Sequence, residues 1–235
     1  MQAQPLAAEL QDQKGKGSQM STGLKLLGIA MAAVAFLAVA VAQASAASFK
    51  AESTPIWLKG ELLSETVLAV SAGNLKCSVI SYSSTAALSV ASVATVEVHP
   101  AYSGCSAFGG LPATVSTTSC SYVLSINASS TAPLGGLVGI KCSGATSINI
   151  NLPSGGPCSI SVAEQDPPSA TDVYTENGTG AKRDVTIVFS VTGLAYTASG
   201  KSCGTSGTNG TYKGAALIFG FKSSTFSEQI GFFLG

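Results

Sequence analysis

The amino-acid sequence predicts an all-β fold: a disulfide-stapled antiparallel β-sandwich, with a β-barrel as the alternative, placed after an N-terminal signal peptide. Three observations carry that reading. Apolar residues recur with a period of two, turn-forming clusters punctuate them, and six cysteines all follow one N-terminal apolar run.

The alternation is clearest in residues 184–191, where Val185, Ile187, Phe189 and Val191 share one face. Ile148, Ile150 and Leu152 repeat the pattern, as do Tyr122, Leu124 and Ile126, and Val96 with Val98. Successive side chains of a strand point to opposite faces, so each run reads as a strand half buried against a core. Gly109-Gly110-Leu111-Pro112, Pro153-Ser154-Gly155-Gly156-Pro157 and Gly204-Thr205-Ser206-Gly207-Thr208-Asn209-Gly210 read as turns between them. Residues 58–68 are the best helical candidate, but Gly60 breaks the pattern and β-formers end it.

Residues 24–42 are apolar and lead into Gln43-Ala44-Ser45-Ala46-Ala47, a small-residue cluster of the kind a signal peptidase accepts. Residues 1–47 are therefore read as an N-terminal extension plus signal peptide. Met20-Ser21-Thr22-Gly23-Leu24-Lys25 is by itself a conventional basic start, which points to Met20 as the true start codon. An uncleaved anchor is the competing reading, although residues 26–42 fall short of the ~20 residues a spanning helix needs. Residues 48–235 then form a single extracellular β-domain, secreted or at the cell surface.

That domain carries nine Lys/Arg against ten Asp/Glu. Its net charge near −1 supplies no basic field for nucleic acid and no polybasic stretch for an anionic membrane. Membrane contact is expected only through an uncleaved signal segment. Serine, threonine and glycine replace the missing charges, leaving a polar surface that repels its own copies weakly.

Cys77, Cys105, Cys120, Cys142, Cys158 and Cys203 would reach an oxidising compartment, where an even count signals paired sulfurs. Fifteen pairings are possible, and the sequence alone does not choose among them. Local closure favours Cys105 with Cys120. A weak internal repeat, Leu75-Lys76-Cys77-Ser78 against Ile140-Lys141-Cys142-Ser143, each followed by an alternating strand, a proline and a cysteine, would then pair Cys77 with Cys142 and leave Cys158 with Cys203.

Motifs for chemistry are weak. Gly200-Lys201-Ser202-Cys203-Gly204 fits G-x-S-x-G, but no strand–elbow–helix context follows and the lone histidine, His99, lies upstream. A loop anchored by a disulfide at Cys203 is the expected reading. His99 with Cys105 could make a thiol–base pair, but an oxidised Cys105 would be inert. The absence of C-x-x-C and H-x-x-H pairs argues against zinc. Glu164, Asp166, Asp172 and Glu176 cluster around Pro167-Pro168, where Ca²⁺ or, preferably, a solvated loop is expected. No cofactor and no catalytic residue are assigned. Tyr102, Tyr174 and Tyr212, in loop-like contexts, are the candidates for a ligand surface, since aromatic faces suit sugar rings.

Lys76-Cys77, Pro100-x-Tyr102-x-x-Cys105, Cys120-Ser121-Tyr122 and Gly210-Thr211-Tyr212-x-Gly214 resemble a loose group of uncharacterised exported proteins of high-GC soil bacteria. The resemblance implies an extracellular β-rich domain with disulfide bridges and carries over no activity. The expected function is a non-catalytic domain that binds a cell-wall or other extracellular polymer, or itself. The alternative is a polysaccharide hydrolase with two carboxylates drawn from Glu61, Glu65, Glu97, Asp184 and Glu228.

Overall fold

The period-two runs become sixteen strands: β1 (Phe49–Ala51), β2 (Trp57–Val70), β3 (Gly73–Ser83), β4 (Ser92–Val93), β5 (Thr95–Ala107), β6 (Leu111–Ser116), β7 (Cys120–Ile126), β8 (Leu134–Cys142), β9 (Ser147–Leu152), β10 (Cys158–Ala163), β11 (Ser169–Ala170), β12 (Asp172–Asn177), β13 (Asp184–Ser199), β14 (Gly207–Phe221), β15 (Gln229–Ile230) and β16 (Phe232–Leu234). The computed structural model describes residues 47–127, 133–153, 157–166 and 169–235, without the side chains of 169 and 170. The signal-peptide reading falls outside them, apart from Ala47. All described residues belong to one compact unit.

Eight strands close into an antiparallel ring in the order β14-β2-β3-β5-β7-β8-β12-β13, with β13 returning to β14. The all-β reading holds, and closure gives it the barrel form. Closure also removes the free edges that would otherwise invite further strands. A shorter sheet, β6-β9-β10, bridges the same two strands, because β6 pairs with β5 and β10 with β13. The molecule is thus a five-strand wall, β5-β3-β2-β14-β13, covered by two three-strand flaps.

Two strands fork to make this possible. β5 pairs with β7 through residues 95–98 and with β6 through residues 105–107. β13 pairs with β11 and β12 up to Thr192 and with β10 from Thr197. Pro100 sits within β5 rather than beyond its end, which is tolerable because residues 99–104 have only β3 beside them.

The alternating residues face inward as the sequence implies. Val185, Ile187, Phe189 and Val191 are buried, as are Ile148, Ile150, Leu152, Tyr122, Leu124, Val96 and Val98. Residues 58–68 lie in β2, so Gly60 interrupts no helix. Gly136 is required because Tyr174 and the Ser125 carbonyl occupy the space of any Cβ. Residues 207–210 are a correction: they extend β14 rather than forming a turn, because Leu194 and Tyr196 of β13 cover the glycines. One end of the barrel is closed by β1, β4 and β16, where Phe49 and Phe232 stack at 5.7 Å and Tyr174 meets Phe49 edge-on.

All six cysteines are bridged, Cys77–Cys105, Cys120–Cys142 and Cys158–Cys203. Only the last matches the expected pairing. Cys105 and Cys120 look local in sequence, but β6 carries the chain to the other flap between them. Cys105 instead lies opposite Cys77 in the β3–β5 ladder, and Cys120 opposite Cys142 in β7–β8. The internal repeat is not reproduced either: its first proline and cysteine lie in one strand, β5, while its second pair spans the β9–β10 turn.

Closing loops of 28, 22 and 45 residues contributes about 3–4 kcal/mol each in the chain-entropy picture. Replacing Cys120 and Cys142 together by alanine is therefore expected to lower stability by about 3 kcal/mol in denaturant titration. An Ala at Gly136, which forces the Tyr174 ring aside, should cost about 1–3 kcal/mol by overpacking. An unchanged midpoint in either variant would contradict the strand pairings given above.

Candidate functional site

The three candidate tyrosines do not form a surface. Tyr174 is 0% exposed and donates its hydroxyl to the Leu137 carbonyl at 3.1 Å. Tyr212 is buried on the inner face of β14. Tyr102 is partly exposed, but its hydroxyl meets that of Tyr122 and lies 3.3 Å from that of Tyr212. Each sits in a strand rather than a loop, at an inward position of the alternation. The correction has a simple cause: flanking glycines and serines resemble loop sequence, and tyrosine is a good strand residue.

What the barrel makes of them is an internal cluster of phenols. Tyr82 and Tyr122 lie 6.4 Å apart by ring centroids, Tyr122 and Tyr212 6.1 Å, and Phe189 and Tyr212 5.7 Å. Burial first, and then mutual repulsion of neighbouring phenolates, pushes Tyr82, Tyr102 and Tyr122 well above the ordinary tyrosine value. Tyr212 is also raised, through burial. All four remain neutral O–H donors. Tyr82 Oη is buried beside Tyr212 without an aligned hydrogen bond of its own.

Next to this cluster the flaps leave an apolar cavity of about 50 Å³. Its walls are Tyr102, Tyr122, Tyr212 and Thr66 on one side, with aliphatic side chains of β8, β9, β10 and β13 completing it. Two forks flank it, and they are closed differently. At the β13 fork, Gln165 spans the gap. Its backbone pairs with Ile140 in both directions, and its side-chain amide exchanges hydrogen bonds with Ala195 N at 2.8 Å and Ala195 O at 2.9 Å. At the β5 fork, the Thr117 hydroxyl donates to the Pro100 carbonyl at 2.6 Å.

Only part of the acidic stretch is a solvated loop. Glu164 and Asp166 are exposed outside the strands, although Glu164 accepts the Cys142 N–H at 2.9 Å and Gln165 closes the fork. Asp172, by contrast, lies in β12 and is 1% exposed. Pro167 and Pro168 lie outside the described residues. Asp172 takes the Ser190 N–H of β13 at 2.8 Å and a Val138 N–H of β8, tying the two strands on either side of β12. Its second oxygen has no partner. Burial pushes its pKa up to about 6 against those two hydrogen bonds.

Four of the five acids considered for hydrolysis are engaged by other side chains. Glu65 pairs with Lys76 at 2.8 Å, Glu97 accepts from Ser121 at 2.6 Å and Lys141 at 3.2 Å, Asp184 takes Asn177, and Glu228 takes Lys222. Glu61 is exposed on β2. Among the described residues, no three His, Cys, Asp or Glu converge to hold a metal. His99 lies 4.0 Å from Glu97, and Cys105 is oxidised. The G-x-S-x-G segment is the disulfide-anchored loop: Gly200 has φ +114° and packs its Cα against the Pro157 carbonyl, so its glycine serves the backbone.

One aromatic surface escaped the sequence reading. Trp57 and Lys59 of β2 stand opposite Phe221 and Phe219 of β14 on the outer face. Trp57, Phe219, Phe221 and Phe226 are all partly exposed. Phe221 meets Phe226 edge-on at 5.5 Å, and Lys59 Nζ lies 5.7 Å from the Phe226 ring centre. Ile218 and Phe219 are both apolar, which hides the alternation there.

Because the Asp172 carboxyl titrates near 3.8 unfolded and near 6 folded, the native state holds a proton that the unfolded chain releases. Stability must therefore fall as pH rises from about 4 to 6, by up to about 3 kcal/mol. Asp172→Asn should flatten that dependence and raise the melting temperature at pH 7. An unaltered pH profile in the variant would refute the assignment.

Comparison with protein-family models, curated proteins and solved structures finds no match to this chain.

Proposed function

We propose that the chain is an exported, non-catalytic β-barrel module, secreted or held at the cell surface, that docks on an extracellular polysaccharide. The observation that carries the reading is the outward aromatic strip of Trp57, Phe219, Phe221 and Phe226 on an otherwise Ser/Thr/Gly-rich surface. The apolar faces of sugar rings stack on such rings, while Lys59 and the neighbouring hydroxyls of Ser223 and Thr225 offer hydrogen bonds. It replaces the buried tyrosines as the place where a polymer chain would lie.

Three disulfides are consistent with an extracellular protein, and the apolar N-terminal segment supports export as a signal peptide. A near-neutral net charge removes the repulsion that would oppose a weakly charged polymer or a second copy. Leu63, Val79, Leu137 and Val188, exposed on the outer face, favour association between copies once the module is concentrated on a surface.

The test is co-sedimentation of the oxidised chain with insoluble polysaccharides and purified cell walls, with light scattering on the same sample. Saturable pelleting is expected. Trp57→Ala with Phe221→Ala should weaken it about tenfold or more, since aromatic anchors commonly carry over 1 kcal/mol each. A monomer that stays in the supernatant with every polymer would overturn the reading.

A further inference from the structure

The geometry points to a second site inside the barrel: the cavity between the flaps binds a small, mostly apolar molecule bearing one hydrogen-bond-accepting oxygen, such as a short-chain ketone, and admits it through the β5 fork. This site is independent of the outer aromatic strip and of what that strip binds.

Size sets the first limit. A water needs roughly 10–15 Å³ of cavity by the same measure, so about 50 Å³ holds roughly three to five carbon-sized groups. Lining sets the second. Val138, Ile150 and Leu194 give the space apolar walls, in which water finds too few partners to be held. An apolar body therefore fits where water does not.

The polar end is chosen by the phenols. Three hydroxyls, those of Tyr102, Tyr122 and Tyr212, are joined by two contacts. All three line the cavity, and two contacts use two of their three protons, which leaves one O–H of the cluster to donate. A buried donor left unpaired is costly to the fold. The group missing from the cluster is an acceptor, and a carbonyl oxygen supplies one without bringing a further donor.

Access follows from which wall residues see solvent. Of the residues lining the cavity, Tyr102 and Val115 alone are partly exposed; the rest are buried. Tyr102 sits in the stretch of β5 that has a neighbour on the β3 side alone, and Val115 in β6 at the edge of the adjoining flap. The opposite fork is occupied by Gln165, bonded to both β8 and β13. At the β5 fork, the Thr117–Pro100 hydrogen bond is the link across the gap. The mouth therefore opens between β6 and β7, with Tyr102 at its rim.

The experiment is an amide chemical-shift titration of the full oxidised chain with 2-butanone and with its hydrocarbon isostere, 2-methyl-1-butene. Saturable shifts at Tyr102, Val115, Ile150 and Leu194 are expected, with the ketone bound about five- to tenfold more tightly. The ketone–alkene comparison is made on the unmodified chain and needs no variant. Shifts absent from these residues for both probes, or equal affinity for the two, would overturn the proposal. Polymer pelleting reads the outer face, so its failure or success leaves this result separately interpretable.

Discussion

The architecture depends on satisfying the backbone of two strands that each change partners partway along. Every buried N–H and C=O must find a partner, and a strand that leaves one neighbour before meeting the next exposes several at once. β5 and β13 both do this, at residues 99–104 and 193–196. The chain meets the requirement with side chains: Gln165 at β13 and Thr117 at β5. Proline and bulges gather at the same places, because there the ladder asks less of them.

That constraint also explains where the disulfides fall. Cys77–Cys105 pins the wall beside the arm of β5 that pairs with β6, and Cys120–Cys142 fastens the first hairpin of the β7-β8-β12 flap. Cys158–Cys203 ties the β6-β9-β10 flap to the loop after β13. The last two bridges secure short sheets that have few strands to hold them. With six residues in each of its strands, the β6-β9-β10 flap would be marginal alone. Sharing the five-strand wall and a covalent tie makes it part of one core.

The interior between the flaps is the functional consequence. Two sheets brought onto one wall from opposite ends meet imperfectly, and the mismatch is a cavity rather than a seam. Side chains from both flaps and from the wall line it, so its shape is set by the whole ring and not by any one hairpin. The phenols cluster there because inward positions of β3, β5, β7 and β14 converge at that level. Outside, the same alternation turns Phe219 and Phe221 toward solvent beside Trp57. One strand, β14, thus serves both surfaces through successive residues.

Strand character, the inward faces of the aliphatic runs and the pairing of every cysteine are legible in the sequence. Those properties are local: period-two burial of Val185, Ile187, Phe189 and Val191 is written in consecutive residues, and six thiols in one chain need no geometry to be counted. Tertiary structure alone decided which cysteines meet, because cross-strand opposition joins Cys77 to Cys105 over a hairpin and a loop that look unrelated in the chain. It also decided that Tyr102, Tyr174 and Tyr212 face inward and that Asp172 is buried, since inside and outside differ by one residue of register. The forks have no local signature at all: they exist because two strands are longer than the flaps that cover them, and strand length against partner length is a property of the assembled sheet.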